Sequence, residues 1–208
     1  MNQIIPFGAN ALHCSVTDPA RVAAHIRDTL GSRTVNVVPA HECVLVTYAS
    51  PVTGHTVTAL RSIIAQTPAD IDGDGDTTAH TIPVIYNGSD LSRVAEALNM
   101  DTDAVVAAHT SPVYTVDYLG FAPGFGYLSH TAGDAARLDV PRLETPRTRI
   151  PAGSVGVADN RTCIYPNASP GGWNLIGHTD VTLFNPDDSN NPTLFRPGDT
   201  VRFSPTTR

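Results

Sequence analysis

Pro146-Arg147-Thr148-Arg149-Ile150-Pro151-Ala152-Gly153-Ser154-Val155-Gly156 lies at the centre of a stretch, residues 118–177, that sets the character of this chain. Gly120-Phe121-Ala122-Pro123-Gly124-Phe125 precedes it and Ser169-Pro170-Gly171-Gly172-Trp173 follows. Glycine reaches backbone angles that other residues avoid and proline fixes its own, so clusters of both specify particular turns rather than flexible linker. Short strands are predicted between and beyond them, at 113–118, 154–158, 161–165, 173–178, 181–184 and 200–203. With turn signals at Asn185-Pro186 and Pro197-Gly198, the spacing is that of a closed or sandwiched all-β domain.

Upstream the pattern changes class. Residues 10–16 alternate like a strand, and Asp18-Pro19 reads as a helix cap with proline at the first helical position. Val22, Ala23, Ile26 and Leu30 then share one helical face, ended by Gly31. Two strands, Val35 to Val38 and Cys43 to Tyr48, precede a second helix with Val57, Leu60, Ile63 and Ile64 inward, and a strand near Thr81 to Tyr86 follows. The order β-α-β-β-α-β is that of a ferredoxin-like α/β sandwich over residues 1–87. Tyr86-Asn87-Gly88 marks the boundary to a second domain, 88–208, which opens with two short helices, one capped by Asp90 and one starting at Asp101 or Thr102 and ending at His109. The acidic run Asp70 to Asp76 imitates a calcium loop, but Thr81 stands where the closing glutamate belongs and no helix follows, so a solvated turn is the plainer reading.

Composition excludes several mechanisms. All 13 basic residues are arginine, so no lysine Schiff base, phosphate-loop lysine or biotinyl-lysine is possible within these 208 residues. A formal charge of -7 disfavours nucleic acid and anionic membrane partners. The N-terminus lacks the features of a signal peptide and no apolar run has the length of a membrane span, which together predict a soluble cytoplasmic protein. Cys14, Cys43 and Cys163 are scattered like buried thiols, and the eight histidines show no metal-ligand spacing, so no metal is predicted.

Arg147 and Arg149, two apart on an extended segment, project to one face and can grip a carboxylate or phosphate; surface pairing with Asp139 and Glu144 is the alternative. The Ala152-Gly153-Ser154-Val155-Gly156 turn can offer backbone donors and the Ser154 hydroxyl to an oxyanion, or be a structural turn only. Phe121, Phe125 and Tyr127 either line an apolar pocket or pack in a core, and Trp173 beside two glycines poses the same choice. His109 at a helix C-terminus is favoured by the helix dipole without any further role.

Taken as an ordered set, these clusters, with Ile164-Tyr165-Pro166, Asn174-Leu175-Ile176-Gly177 and the closing Arg196-Pro197-Gly198-Asp199, resemble the family of 5-oxoprolinase B subunits. That family is also called allophanate hydrolase subunit 1 or the sporulation-kinase inhibitor family, and is similar to a carboxyltransferase region of urea amidolyase. The resemblance implies an α+β chain, ferredoxin-like then cyclophilin-like β-barrel. It also implies a heteromeric hydrolase in which this chain, inactive alone, works with the A and C subunits to open 5-oxo-L-proline to L-glutamate using ATP, bound in a site of unfamiliar kind or shared across the complex. By the same resemblance His109, Arg147, Arg149, Ser154 and Tyr165 are candidate catalytic residues. Phe121, Phe125, Gly153, Arg161, Gly171 and Gly172 are candidate substrate-binding residues. The family's other names imply two alternatives, inhibition of a sensor histidine kinase and a carboxyltransferase or allophanate-hydrolase role on an amide substrate.

The chain departs from the family pattern at Asp159, Arg161 and Cys163, where glycine, glutamine and glycine are usual, and at His178, where arginine is common. A reshaped pocket beside that hairpin is the expectation.

Overall fold

A computed structural model describes residues 3–68, 77–130 and 138–207, and the acidic run read as a calcium-like loop lies outside the described residues. The chain forms two units, Met1–Asp76 and Thr77–Arg208.

In the first unit β1 (Ile4–Phe7) and β2 (Ala11–Ser15) form a hairpin, followed by α1 (Pro19–Leu30), β3 (Thr34–Ala40), β4 (Cys43–Tyr48) and α2 (Gly54–Ala65). The strands pair antiparallel in the order β1-β2-β4-β3. Asp18 caps α1 through the Arg21 N–H, with Pro19 in the first turn, as its sequence signature predicts. Thr53 and Thr56 form a reciprocal capping box on α2. Alternation on the strands turns Leu12, Cys14, Val44 and Val46 to the face that meets Ile26 of α1 and Leu60 of α2. Burial there pushes the Cys14 thiol up to about 11.

The expected ferredoxin-like order gives way at both ends. Ile4–Phe7 adds an edge strand before the first predicted one, so the first unit runs β-β-α-β-β-α. The strand expected to complete that sheet, β5 (Ala79–Val84), instead lies in the second unit, parallel to β13 (Thr200–Pro205). Its side chains explain the choice: Ile82 and Val84 are buried in the larger core with Val201 and Phe203. Asp199, itself buried, accepts the Thr78 N–H and bonds the His80 ring, fixing the start of β5. The division therefore falls before Thr77 rather than after residue 87.

The second unit continues with α3 (Leu91–Ala97), α4 (Thr102–Thr110), β6 (Tyr114–Leu119), β7 (Gly126–Ser129), β8 (Arg147–Ile150), β9 (Ser154–Ala158), β10 (Arg161–Ile164), β11 (Ser169–Gly171) and β12 (Asn174–His178). Seven strands pair in the order β12-β9-β10-β7-β6-β13-β5. A two-way bridge between Ile85 and His178 joins the ends of that order, making a nearly closed barrel. The strand predicted at 181–184 is reduced to one bridge, Phe184 to Thr193.

β9, β10 and β12 are buried on both faces. One face supplies Val155, Val157, Ile164 and Ile176 to a core shared with Val94 and Val105 of the helices. The other supplies Ala158, Cys163 and Leu175 to an aromatic cluster of Phe125, Tyr165 and Trp173, which the β8–β11 ribbon adjoins through Ile150. The β9–β10 hairpin turns at Asp159 and Asn160, φ 50° and 59°, the paired left-handed angles of a two-residue hairpin that Asp and Asn tolerate without glycine.

Candidate functional site

β8 divides the candidates. Strand alternation sends Ile150 into the aromatic cluster and leaves Arg147 and Arg149 on the opposite face, where both line a cleft of about 340 Å³. Its other walls are Asn87, Gly88 and Ser89 before α3, Pro151 and Ser154 at the entry to β9, and Leu175, Gly177 and His178 of β12. Gly88 makes this possible, because a Cβ there would run into the backbone of Leu175 and Ile176; its N–H donates to the Ile176 carbonyl at 3.2 Å. Gly153, at φ 78°, turns the chain under the carbonyl of Thr179 and places a bare Cα within reach of the His178 ring.

The two arginines differ. Arg147 donates from Nη2 to Asp90 Oδ1 at 2.8 Å, while its Nη1 is buried without a hydrogen-bond partner among the described residues. Arg149 is exposed, with no ion pair or hydrogen bond among the described residues. Pairing with Asp139 or Glu144 is therefore not what occupies Arg147. Asp90 does not cap α3 with its side chain as predicted; its second oxygen accepts the Leu175 N–H at 2.7 Å, tying the segment before α3 to β12. Sequence reading misses Asp90 as a site residue because its partners lie 57 and 85 positions away. His178, in the sequence only a departure from the family pattern, lines the cleft, half-exposed, with Asp180 Oδ1 at 3.6 Å.

Other candidates lie elsewhere. His109 is fully buried in the barrel core, Nδ1 on the Tyr86 hydroxyl at 2.7 Å and Nε2 on the Thr162 hydroxyl at 2.8 Å. Burial, aided by His130, holds its pKa down to about 3, so it is a neutral structural histidine with no nitrogen free for a substrate. Tyr165 is buried in the aromatic cluster with its oxygen near the Trp173 backbone N–H, and desolvation pushes the phenol well up. Phe125 packs beside it, and Phe121, exposed and at φ 67°, caps the cluster edge-on at 5.2 Å from Phe125; neither lines the cleft. Gly171 faces Arg147 across the ribbon, and the Gly172 carbonyl accepts the Leu143 N–H.

The expected row of oxyanion donors is largely spent, since the Gly153 N–H donates to the Tyr165 carbonyl at 2.8 Å and the Ser154 N–H makes a 3.4 Å contact with Pro151. Arg161 stands at the opposite end of β9 and β10 from Ser154, four residue steps or about 13 Å along the strand. There it pairs with Asp117 at 3.3 Å and lines a separate 160 Å³ hollow with Ser129, His130, Asp159 and Asn160. Asp159, Arg161 and Cys163 therefore lie away from the arginine cleft, whereas His178 lines it.

What converges is two guanidinium groups, a serine and an imidazole on one concave surface, a set suited to binding an anion. Among the described residues no helix is long and apolar enough to cross a membrane. Residues 3–195 match the family described as carboxyltransferase domain, subdomain C and D. The 5-oxoprolinase B subunit of Escherichia coli O157:H7 is 47% identical over 127 residues, which are 60% of this chain and 56% of that protein. The matched stretch thus spans just over half the relative's length. The crystal structure of TTHA0988 superposes with a TM-score of 0.76 at 32% identity, over 96% of this chain and 40% of that one. K. lactis urea amidolyase, 19% identical with a TM-score of 0.79, shares the fold over 99% of this chain and 15% of its own. Barrel, ordered turn clusters and family match agree: the chain belongs to the carboxyltransferase subdomain C and D family, which takes in the 5-oxoprolinase B subunits.

Proposed function

We propose that this chain is the B subunit of an ATP-dependent 5-oxoprolinase, active together with its A and C partners, and that the cleft between β8 and β12 is its contribution to the active site. The convergence of Arg147, Arg149, Ser154 and His178 in a relative of 5-oxoprolinase B subunits carries the reading. A lactam amide is a poor electrophile. Transfer of the terminal phosphoryl group of ATP to the lactam oxygen converts that oxygen to a leaving group. Water then adds at the same carbon, the ring C–N bond breaks, phosphate departs and a second water supplies the remaining oxygen of the new carboxylate. The products are glutamate, ADP and phosphate.

This chain's part is to hold an anionic group with Arg147 and Arg149 while Ser154 and His178 face the ring, His178 being the titratable side chain in contact with the cleft. No phosphate-loop lysine exists here, so the ATP site is of another kind or shared with a partner. Glutamate release from 5-oxo-L-proline and ATP by the reconstituted complex tests the reading. Arg149→Gln, at an exposed position, is expected to fold normally and lower turnover on the order of 100-fold or more. Unchanged turnover refutes the assignment, and no ATP-dependent glutamate release with any partner refutes the function.

A further inference from the structure

Asp90 changes what the arginine pair can hold. It is 5% exposed, and both its oxygens are engaged by the Leu175 N–H and Arg147, so it is a fixed negative charge directly behind the cleft. One of the two positive charges is thereby offset. Arg93 approaches the same carboxylate at 4.0 Å, but it is half-exposed and does not line the cleft, so solvent screens it. His178 adds charge only when protonated and has Asp180 beside it. The lining is left with about one net positive charge, presented by the exposed Arg149 fork, since Arg147 is paired with Asp90 through Nη2 and its Nη1 is buried.

We infer that this cleft is a monocarboxylate subsite, and that the phosphates of the nucleotide bind elsewhere. A carboxylate carries one charge and presents two oxygens in a plane, which suits one free guanidinium fork. A phosphate monoester already carries about -1.5 to -2 near neutral pH, and Asp90 would repel the excess. Size agrees, since 340 Å³ lies at the lower end of the roughly 300–1,000 Å³ of small-molecule pockets and takes a single small ring. Pro151 gives that ring an apolar contact, beside the backbone at Gly88, Leu175 and Gly177. The inference rests on the proposed function only in naming 5-oxoproline as the acid; the charge argument stands for any small monocarboxylate.

The test uses the 208-residue chain, ¹⁵N-labelled, with the arginine Nε–H resonances followed during titration at constant ionic strength. The probes are sodium 5-oxo-L-proline, its uncharged methyl ester, sodium acetate, inorganic phosphate and ATP. The acid is expected to shift the Arg147 and Arg149 signals with a Kd at least tenfold below those of phosphate, ATP and the ester, and Arg149→Gln to weaken it at least tenfold. Asp90→Asn keeps an acceptor for the Leu175 N–H while raising the lining charge by one, and is expected to narrow the preference over phosphate by at least tenfold. If that variant does not fold, Arg149→Gln and the ester carry the test. Binding of acetate without 5-oxoproline supports the monocarboxylate subsite and removes the 5-oxoprolinase reading. Phosphate, ATP or the ester binding these arginines as tightly as the acid overturns the inference and leaves the 5-oxoprolinase reading in place. No binding by any probe also overturns it.

Discussion

Acid should loosen the second unit through His109 more than through a typical histidine. The hydrogen-bond chain around it has one consistent direction. Thr162 donates its hydroxyl proton to the Gly156 carbonyl at 3.1 Å, so it accepts from His109 Nε2–H, and Nδ1 then accepts from the Tyr86 hydroxyl. A proton on Nδ1 would face the Tyr86 hydroxyl proton inside a fully buried site. Because the folded pKa, about 3, lies below the unfolded value, the unfolded chain binds more protons between the two. Stability is therefore whole above about pH 6.5, declines as pH falls through that window by at most about 1.4 kcal/mol per unit, and levels off below about 3. Between about pH 7.5 and pH 5 the loss from this group is about 2 kcal/mol. Urea unfolding followed by Trp173, the chain's one tryptophan and buried in the second unit, measures it. His109→Gln lacks the titrating group, so its stability should fall less with pH than the wild type's, by about 2 kcal/mol over that range, whatever its stability at neutral pH. Equal pH losses in the two proteins refute a neutral buried His109.

Three other changes test the local geometry. Gly153→Ala forces a side chain into the left-handed region and against the Thr179 carbonyl, and should destabilise the second unit by about 2–4 kcal/mol in the same urea assay; a loss under about half a kcal/mol contradicts the turn. Asp101→Ala removes the acceptor of the Ala104 N–H at the start of α4 and should cost about 1 kcal/mol, with Asp101→Asn restoring most of it. Cys163 is fully buried and its thiol is pushed well above its ordinary value, so in the native protein an aromatic disulfide reagent should label Cys43 first; equal rates at the two positions contradict the packing of the aromatic cluster.

Local signals carry the elements well where one residue's neighbours decide its state. Asp18-Pro19 and Asp101 cap the helices their spacing predicts, and strands appear at 154–158 and 174–178, between the turn clusters as expected. Assigning β5 to a sheet is another matter. Ala79–Val84 is a good strand beside either unit, and what decides is Val201 and Phe203, some 120 positions later, with Asp199 holding the backbone of Thr78. Ile4–Phe7 escapes sequence reading for a related reason: three of its four residues are exposed, so no buried face marks it.

The site shows the same division between near and distant partners. That Arg147 and Arg149 share a face follows from their spacing of two, and both line the cleft. That they are unequal does not follow from spacing, because the inequality comes from Asp90, a residue whose local pattern says helix cap. A capping Asp and a guanidinium-pairing Asp look alike in one dimension; the difference is that β12 offers the Leu175 N–H to one oxygen and so turns the other toward Arg147. Removing that carboxylate with Asp90→Ala would leave the half-buried Arg147 and the Leu175 N–H without partners, at a cost of about 2–4 kcal/mol by analogy with broken buried pairs. The same carboxylate that makes Arg147 tolerable beside the barrel is thus what limits the charge the cleft can accept, so stability and ligand selectivity are set by one side chain.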